Sequence, residues 1–199
     1  MSDIKVFNRW ETDHIVVEDP GLRNYISVKP IIVPKTGARY AGKKFHKSGI
    51  NIVERLINKV MIPGHKGKKH VKSSGWITGK ANTAYDIVEE TLKLIERKLN
   101  KNPIEVFVKA LENAAPREET IPIEYGGARY LKAVECAPQR RVDVALRYMV
   151  QGAFHKSFNS KTPMVDLLAE EIIAAYQLNV KSAAIAKKSE LEKQADSSR

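Results

Sequence analysis

Beyond about residue 82 the apolar positions recur with a helical period. Ala84, Ile87, Val88, Thr91, Leu92, Ile95 and Leu99 follow the i, i+3, i+4, i+7 spacing, with Lys93, Glu96 and Arg97 on the other face. Asn102 followed by Pro103 reads as an N-cap with proline at the first helical position, and Ile104, Phe107, Val108 and Leu111 continue as the next stripe. Thr162-Pro163 repeats that grammar and predicts a helix with Val165, Leu168, Ala169, Ile172 and Tyr176 inward. Pro138 opens another, with Val142, Leu146, Met149, Val150 and Ala153 as its stripe. A first body helix is predicted over residues 50–61, burying Ile50, Val53, Leu56, Ile57 and Val60. Residues 180–199 read as helical but too polar to be core. No internal repeat or sustained heptad interrupts this pattern.

One segment follows a different period. Ile121, Ile123 and Tyr125 alternate, Gly126-Gly127 tolerates positive φ, and residues 128–135 return as a strand. A two-residue turn pairs Glu124 with Arg129 and Ile123 with Tyr130. Such a hairpin is marginal alone, so it must pack on the helices or project toward a partner. The first 48 residues hold short apolar runs and Pro20, Pro30 and Pro34 without a long amphipathic period. They read as an arm wrapping either the helical body or an RNA. The expected fold is therefore mainly α, a bundle of about six helices with an inserted β-hairpin and an irregular basic N-terminal arm. The arm is assigned to residues 1–48 and the helical domain to 49–199, with a basic loop at 63–81 and the hairpin at 118–136.

Charge changes the picture from a plain helical domain to one with a partner. The 199 residues carry 34 Lys plus Arg against 23 Asp plus Glu, a net of +11, and 43% are hydrophobic, enough for a core. Residues 1–34 have a net charge of −1 and residues 81–199 of +1, whereas residues 35–80 hold twelve basic side chains and a single acid, Glu54. Cations so segregated repel one another until a polyanion neutralises them, and nucleic acid is the commonest such partner. An anionic membrane fits less well, because the most basic stretches are Gly-rich loops and not helix faces. No stretch of about 18 apolar residues occurs. The start, MSDIKVFNRW, lacks the basic flank and apolar core of a secretion signal, so no export is expected. The single Cys136 excludes an intramolecular disulfide framework and fits a reducing compartment.

Candidate chemistry is sparse. GARYAGKK at residues 37–44 approaches the phosphate-cradling loop pattern, but Lys44 stands where a hydroxyl should coordinate Mg²⁺ and no apolar helix begins directly after it. His65 and His70 sit in a cationic loop that repels a metal ion and have no third or fourth ligand at suitable spacing. Cys136 reads as a small buried hydrophobe. The pairs Glu89-Glu90, Glu118-Glu119 and Glu170-Glu171 are adjacent in sequence and make poor acid/base dyads. No active site assembles, and neither enzymatic activity nor a cofactor is expected. The hairpin tip, with Tyr125, Arg129 and Tyr130, suits base stacking and phosphate contact. Arg140 and Arg141 stand in the first turn of a helix, where they oppose its dipole, and are better explained by an anion bound there. Arg147 lies two turns beyond Arg140 on the same side.

Several long blocks in order make the chain resemble small-subunit ribosomal protein seven in its archaeal and eukaryotic form. They are ARYAGKKFHK at 38–47, NIVERLINKVMIPGHKGKK at 51–69, NPIEVFVKALENAAPREE at 102–119, the YGGARY tip, APQRRVDVAL at 137–146 and the tail KKSELEKQADSSR. The resemblance implies a non-enzymatic protein that binds the 3′ major (head) domain of small-subunit ribosomal RNA early in assembly. It also implies a β-ribbon near the exit-site tRNA and the outgoing messenger RNA, neighbouring small-subunit proteins as partners, no membrane, and a cytoplasmic ribosomal location. The expected RNA contacts, from resemblance and charge together, are Lys35, Arg39, Lys43, Lys44, Lys66, Lys68, Lys69, Lys72, Lys80, Arg129, Arg140 and Arg141. A DNA-binding architectural protein is disfavoured by the lack of a recognition helix, and an RNA-modifying enzyme by the missing acid/base constellation.

Overall fold

The stripes predicted from spacing close on one another. A computed structural model describes residues 4–62 and 76–199. In chain order they form α1 (Ile52–Val60), α2 (Ala81–Leu99), α3 (Pro103–Ala114), β1 (Glu118–Tyr125), β2 (Ala128–Glu135), α4 (Pro138–Ser157), α5 (Met164–Tyr176) and α6 (Ala183–Ser197). The fold is mainly helical with one inserted hairpin. The most apolar sequence is that of α5, which takes the central place against α2, α3 and α4. Its Leu168, Ala169, Ile172 and Ala175 are fully buried, and so is Phe107 of α3. Truncating a buried phenylalanine of this kind costs about 3–5 kcal/mol, so this junction holds the bundle together.

Capping sets where the helices begin. Asn51 precedes α1, its side chain accepting the Val53 N–H at 2.8 Å, while Ile50 stays only half-buried and outside the helix. Asn102 caps α3 as expected, accepting the Ile104 N–H at 3.0 Å ahead of Pro103. The reading of Thr162 as a cap is corrected: Pro163 itself stands at the cap position, no side chain caps the end, and α5 starts at Met164. Proline has no N–H to lose before the first turn, which makes the shift inexpensive.

Residues 4–34 wrap the helical body. Val6, Trp10, Val17, Leu22 and Ile26 enter the same core as the helices. Asn102 donates to the Glu11 carbonyl at 2.7 Å, and the Glu112 carboxylate accepts the N–H groups of Glu18 and Asp19 at 2.6 and 3.2 Å. Farther on, the Ile52 N–H donates to the Ser27 carbonyl and Asn51 to that of Lys29, both at 2.8 Å. Irregular backbone is thereby tied down by helix-borne polar side chains, which satisfies groups that no ladder satisfies.

The hairpin has the predicted register, Glu124 opposite Arg129 and Ile123 opposite Tyr130. Gly126 and Gly127 adopt φ of 57° and 80°, the sign that a tight hairpin turn demands at both central positions. Residues 121–132 are exposed on both faces, so the hairpin projects and only its base is packed. The brace at that base is α6, whose expected lack of core residues is a second correction. Ala184, Ile185 and Ala195 are buried, and the helix lies against α4 and both strands. Its start is held by Glu171, 1% exposed, which accepts from the Ser182 hydroxyl at 2.7 Å and the Ala184 N–H at 3.2 Å. Small alanines make this seat, which is why no strong apolar stripe announced it.

Candidate nucleic-acid interface

The cations gather where α1 crosses α4. Arg55, buried, donates to the Asp143 carboxylate at 2.9 Å and to the Tyr25 carbonyl at 2.9 Å. Lys47 pairs with the other Asp143 oxygen. Lys59 stands one turn beyond Arg55, half-buried in the same groove of about 540 Å³, whose walls include Tyr40, Ile50, Ile62 and Leu146. Burial pushes the Lys59 ammonium below its ordinary lysine range, the charge of Arg147 pushes it further, Asp143 offsets part of this, and Lys47 adds to it. Lys47 and Arg55 thus share one carboxylate over a partly apolar floor, and Lys59 and the exposed Arg147 add charge beside them. Among the described residues, three cations and one carboxylate line this groove, an excess of positive charge that a phosphate oxygen relieves.

The expected contact residues divide into three sets. Arg39, Lys43 and Lys44 lie exposed on the loop before α1, and Lys35, also exposed, donates to Asn82 at 2.9 Å. Lys80 is exposed at the start of α2, and Arg129 at the hairpin tip is exposed beyond a 3.6 Å pair with Glu124. Such a pair adds at most about 1 kcal/mol and leaves the guanidinium able to turn outward. Lys66, Lys68, Lys69 and Lys72, together with His65 and His70, lie outside the described residues.

The helix-start arginines both meet carboxylates of the chain itself. Arg140, expected to meet an anion bound at the positive helix end, makes a bidentate pair with Glu119, both bonds 2.6 Å. Arg141 is 8% exposed, donating to Asp19 at 2.6 Å and to the Pro116 carbonyl at 3.1 Å. The anions at this helix end are therefore the protein's own Glu119 and Asp19. Arg141 joins the N-terminal segment to the hairpin base. Burial alone raises the Asp19 carboxyl, but the hydrogen bonds from Arg141 and the Gly21 N–H outweigh it and hold Asp19 below its ordinary value. Arg140, half-exposed, keeps an open edge.

Sequence reasoning missed Lys47, Arg55, Lys59 and Arg147 as a group. The available signal was the i, i+4 pair Arg55 and Lys59 on the nine-residue helix IVERLINKV. Cys136 is as expected, buried, its thiol pushed up to about 11 by burial and by the nearby Glu119. The GARYAGKK loop contains a 3-10 turn at Arg39–Gly42 and no helix starts on it before Ile52, apart from a second short turn at His46–Ser48. Among the described residues no His, Cys, Asp or Glu cluster is placed to hold a metal, and no helix is long and apolar enough to cross a membrane.

A helical body with a wrapped N-terminal segment, a projecting ribbon and a one-sided cationic groove defines a scaffold protein that grips a polyanion. The chain belongs to the ribosomal protein S7p/S5e family, whose model matches residues 22–199. It is 53% identical over 196 residues to the small ribosomal subunit protein uS7 of Nanoarchaeum equitans (strain Kin4-M), covering 98% of this chain and 99% of that one. Members of this family are structural and not enzymatic.

Proposed function

We propose that this chain is a structural constituent of the small ribosomal subunit that binds the head domain of its ribosomal RNA and helps that domain assemble. The carrying observation is the α1–α4 groove, where Lys47 and Arg55 pair with Asp143 and Lys59 and Arg147 add further positive charge beside them. Phosphates seated there restore the charge balance and release counterions, and the rigid helix crossing fixes the angle between the RNA segments it holds. Lys35, Arg39, Lys43, Lys44, Lys80, Arg129 and Arg140 extend the contact on either side, and Lys66, Lys68, Lys69 and Lys72 are further proposed RNA contacts. The ribbon, anchored only at its base, reaches toward the exit-site tRNA and messenger RNA, and the protein works in the cytoplasm as part of the ribosome beside other small-subunit proteins.

Chemical footprinting of small-subunit RNA tests this reading. Adding the protein protects nucleotides of the head domain, and the double variant Lys59→Gln, Arg147→Gln loses part of that protection while keeping its fold. Uniform protection across all domains, or preference for duplex DNA over structured RNA, contradicts it.

A further inference from the structure

The two tryptophans of this chain have opposite surroundings. Trp10 is 4% exposed in the core, whereas Trp76 is 73% exposed. The turn that carries Trp76 is pinned from below: Ile77 is buried, Lys80 N–H donates to the Ile77 carbonyl at 3.0 Å, and Gly79 N–H to the Met61 carbonyl at 3.1 Å. An indole held outward on a fixed turn is a preorganised contact, since little further ordering is needed when a ligand arrives. Beside it lies a cavity of about 440 Å³ whose walls include Phe154, Phe158, Met164 and Lys161 and, among the described residues, no carboxylate. The Lys80 ammonium stands 6.0 Å from the Trp76 ring centroid.

Position adds meaning to this chemistry. Arg140 in the first turn of α4 is tied to the hairpin base, Arg147 is at the cationic groove, and Phe154 near the other end of α4 lines the Trp76 cavity. An α-helix rises about 1.5 Å per residue, so the cavity lies about 20 Å along α4 from the hairpin base. The cationic side of the molecule thus ends on an aromatic platform at the far end from the ribbon. We propose that Trp76 is a stacking platform for one unpaired RNA base, with Lys80 and Lys161 receiving its neighbouring phosphates. A flat ring, cations and a wall without acids select a nucleotide over an acidic-rimmed or purely aliphatic partner. The proposal rests on the RNA-binding reading above and adds a site to it.

The test uses the full chain carrying Trp10→Phe, so that Trp76 is the sole indole, titrated with a transcript of the small-subunit RNA head domain. Binding is followed by RNA mobility and, separately, by Trp76 emission and its quenching by acrylamide. The expected result is quenched emission and acrylamide protection in step with binding. In the otherwise unaltered chain, Trp76→Ala and Trp76→Leu weaken affinity about 5- to 100-fold, whereas Trp76→Phe stays within about threefold. Because Trp76 is exposed, melting midpoints should be unchanged. RNA binding with silent Trp76 emission and full affinity in the alanine variant overturns the platform alone. Retained affinity in the leucine variant but not the alanine variant reduces it to an apolar contact and also overturns stacking. Emission that responds to added small-subunit proteins but not to RNA assigns the surface to protein and rejects the proposal. Failure of the unaltered chain to bind the transcript instead removes the RNA-binding reading, and the platform with it.

Discussion

Asp19 and Arg141 are 122 positions apart and meet at 2.6 Å, joining the N-terminal segment, the approach to β1 and the start of α4. Both side chains are largely out of water, 24% and 10% exposed, so removing one leaves the other's charge poorly solvated. Arg141→Ala is expected to cost about 3 kcal/mol in urea unfolding, the lower end for a broken buried pair. The pH dependence has a definite sign. Asp19 titrates lower in the folded chain than its reference of 3.8, so its stabilising contribution is present above that value and disappears as pH falls through the folded one. The unaltered protein should therefore lose more stability than Asp19→Asn on going from about pH 5 to pH 3, measured by denaturant titration at each pH. Gly152 carries a second sharp expectation: a Cβ there would sit 2.6 Å from the Ala183 Cβ, beside buried Glu171. Gly152→Ala should cost about 1–3 kcal/mol and loosen α6, read as a lower melting midpoint and faster amide exchange in α6. None of these residues announced its role locally. A first-turn arginine looks the same in sequence whether its anion is an RNA phosphate or a carboxylate brought in from 122 positions away.

The elements were legible where one rule decided them. Period 3.6 fixed α2 through α5, and alternation with Gly-Gly fixed the hairpin register, because both patterns are local. The seat of the hairpin was not, since it depends on α6, which buries alanines and one isoleucine instead of a stripe. Glu119 with Arg140, and Glu118 with Arg199, tie the base of β1 to α4 and to the end of α6. Exposed pairs of this kind contribute about 0–1 kcal/mol, so replacing both arginines with glutamine should leave the melting midpoint nearly unchanged. Amide exchange at the hairpin base should accelerate relative to α3 and α5. Equal exchange in the variant and the unaltered chain would show that apolar packing of α6 alone sets the ribbon's direction. Asn51 makes a stronger contribution than its place outside α1 suggests, because it caps Val53 and also holds the Lys29 carbonyl. Asn51→Ala is expected to cost about 1–2 kcal/mol.

Across the whole molecule the charge has a location and a geometry. Composition placed twelve cations in residues 35–80, and that window was visible at once. What it could not show is that α4 brings Asp143 and Arg147 to the same groove, which turns a basic segment into a cluster with a fixed shape. The near-neutral remainder forms an ordinary core, so the excess charge is free to act on a partner without opposing the fold. The measurement that tests this most directly is the salt dependence of affinity for the head-domain RNA. With five to eight phosphates neutralised, log affinity should fall against log salt with a slope of about −4 to −7, and Lys59→Gln with Arg147→Gln should make it shallower by about 1–2. A slope near zero, or one that the double variant leaves untouched, would contradict the claim that the α1–α4 groove grips the RNA.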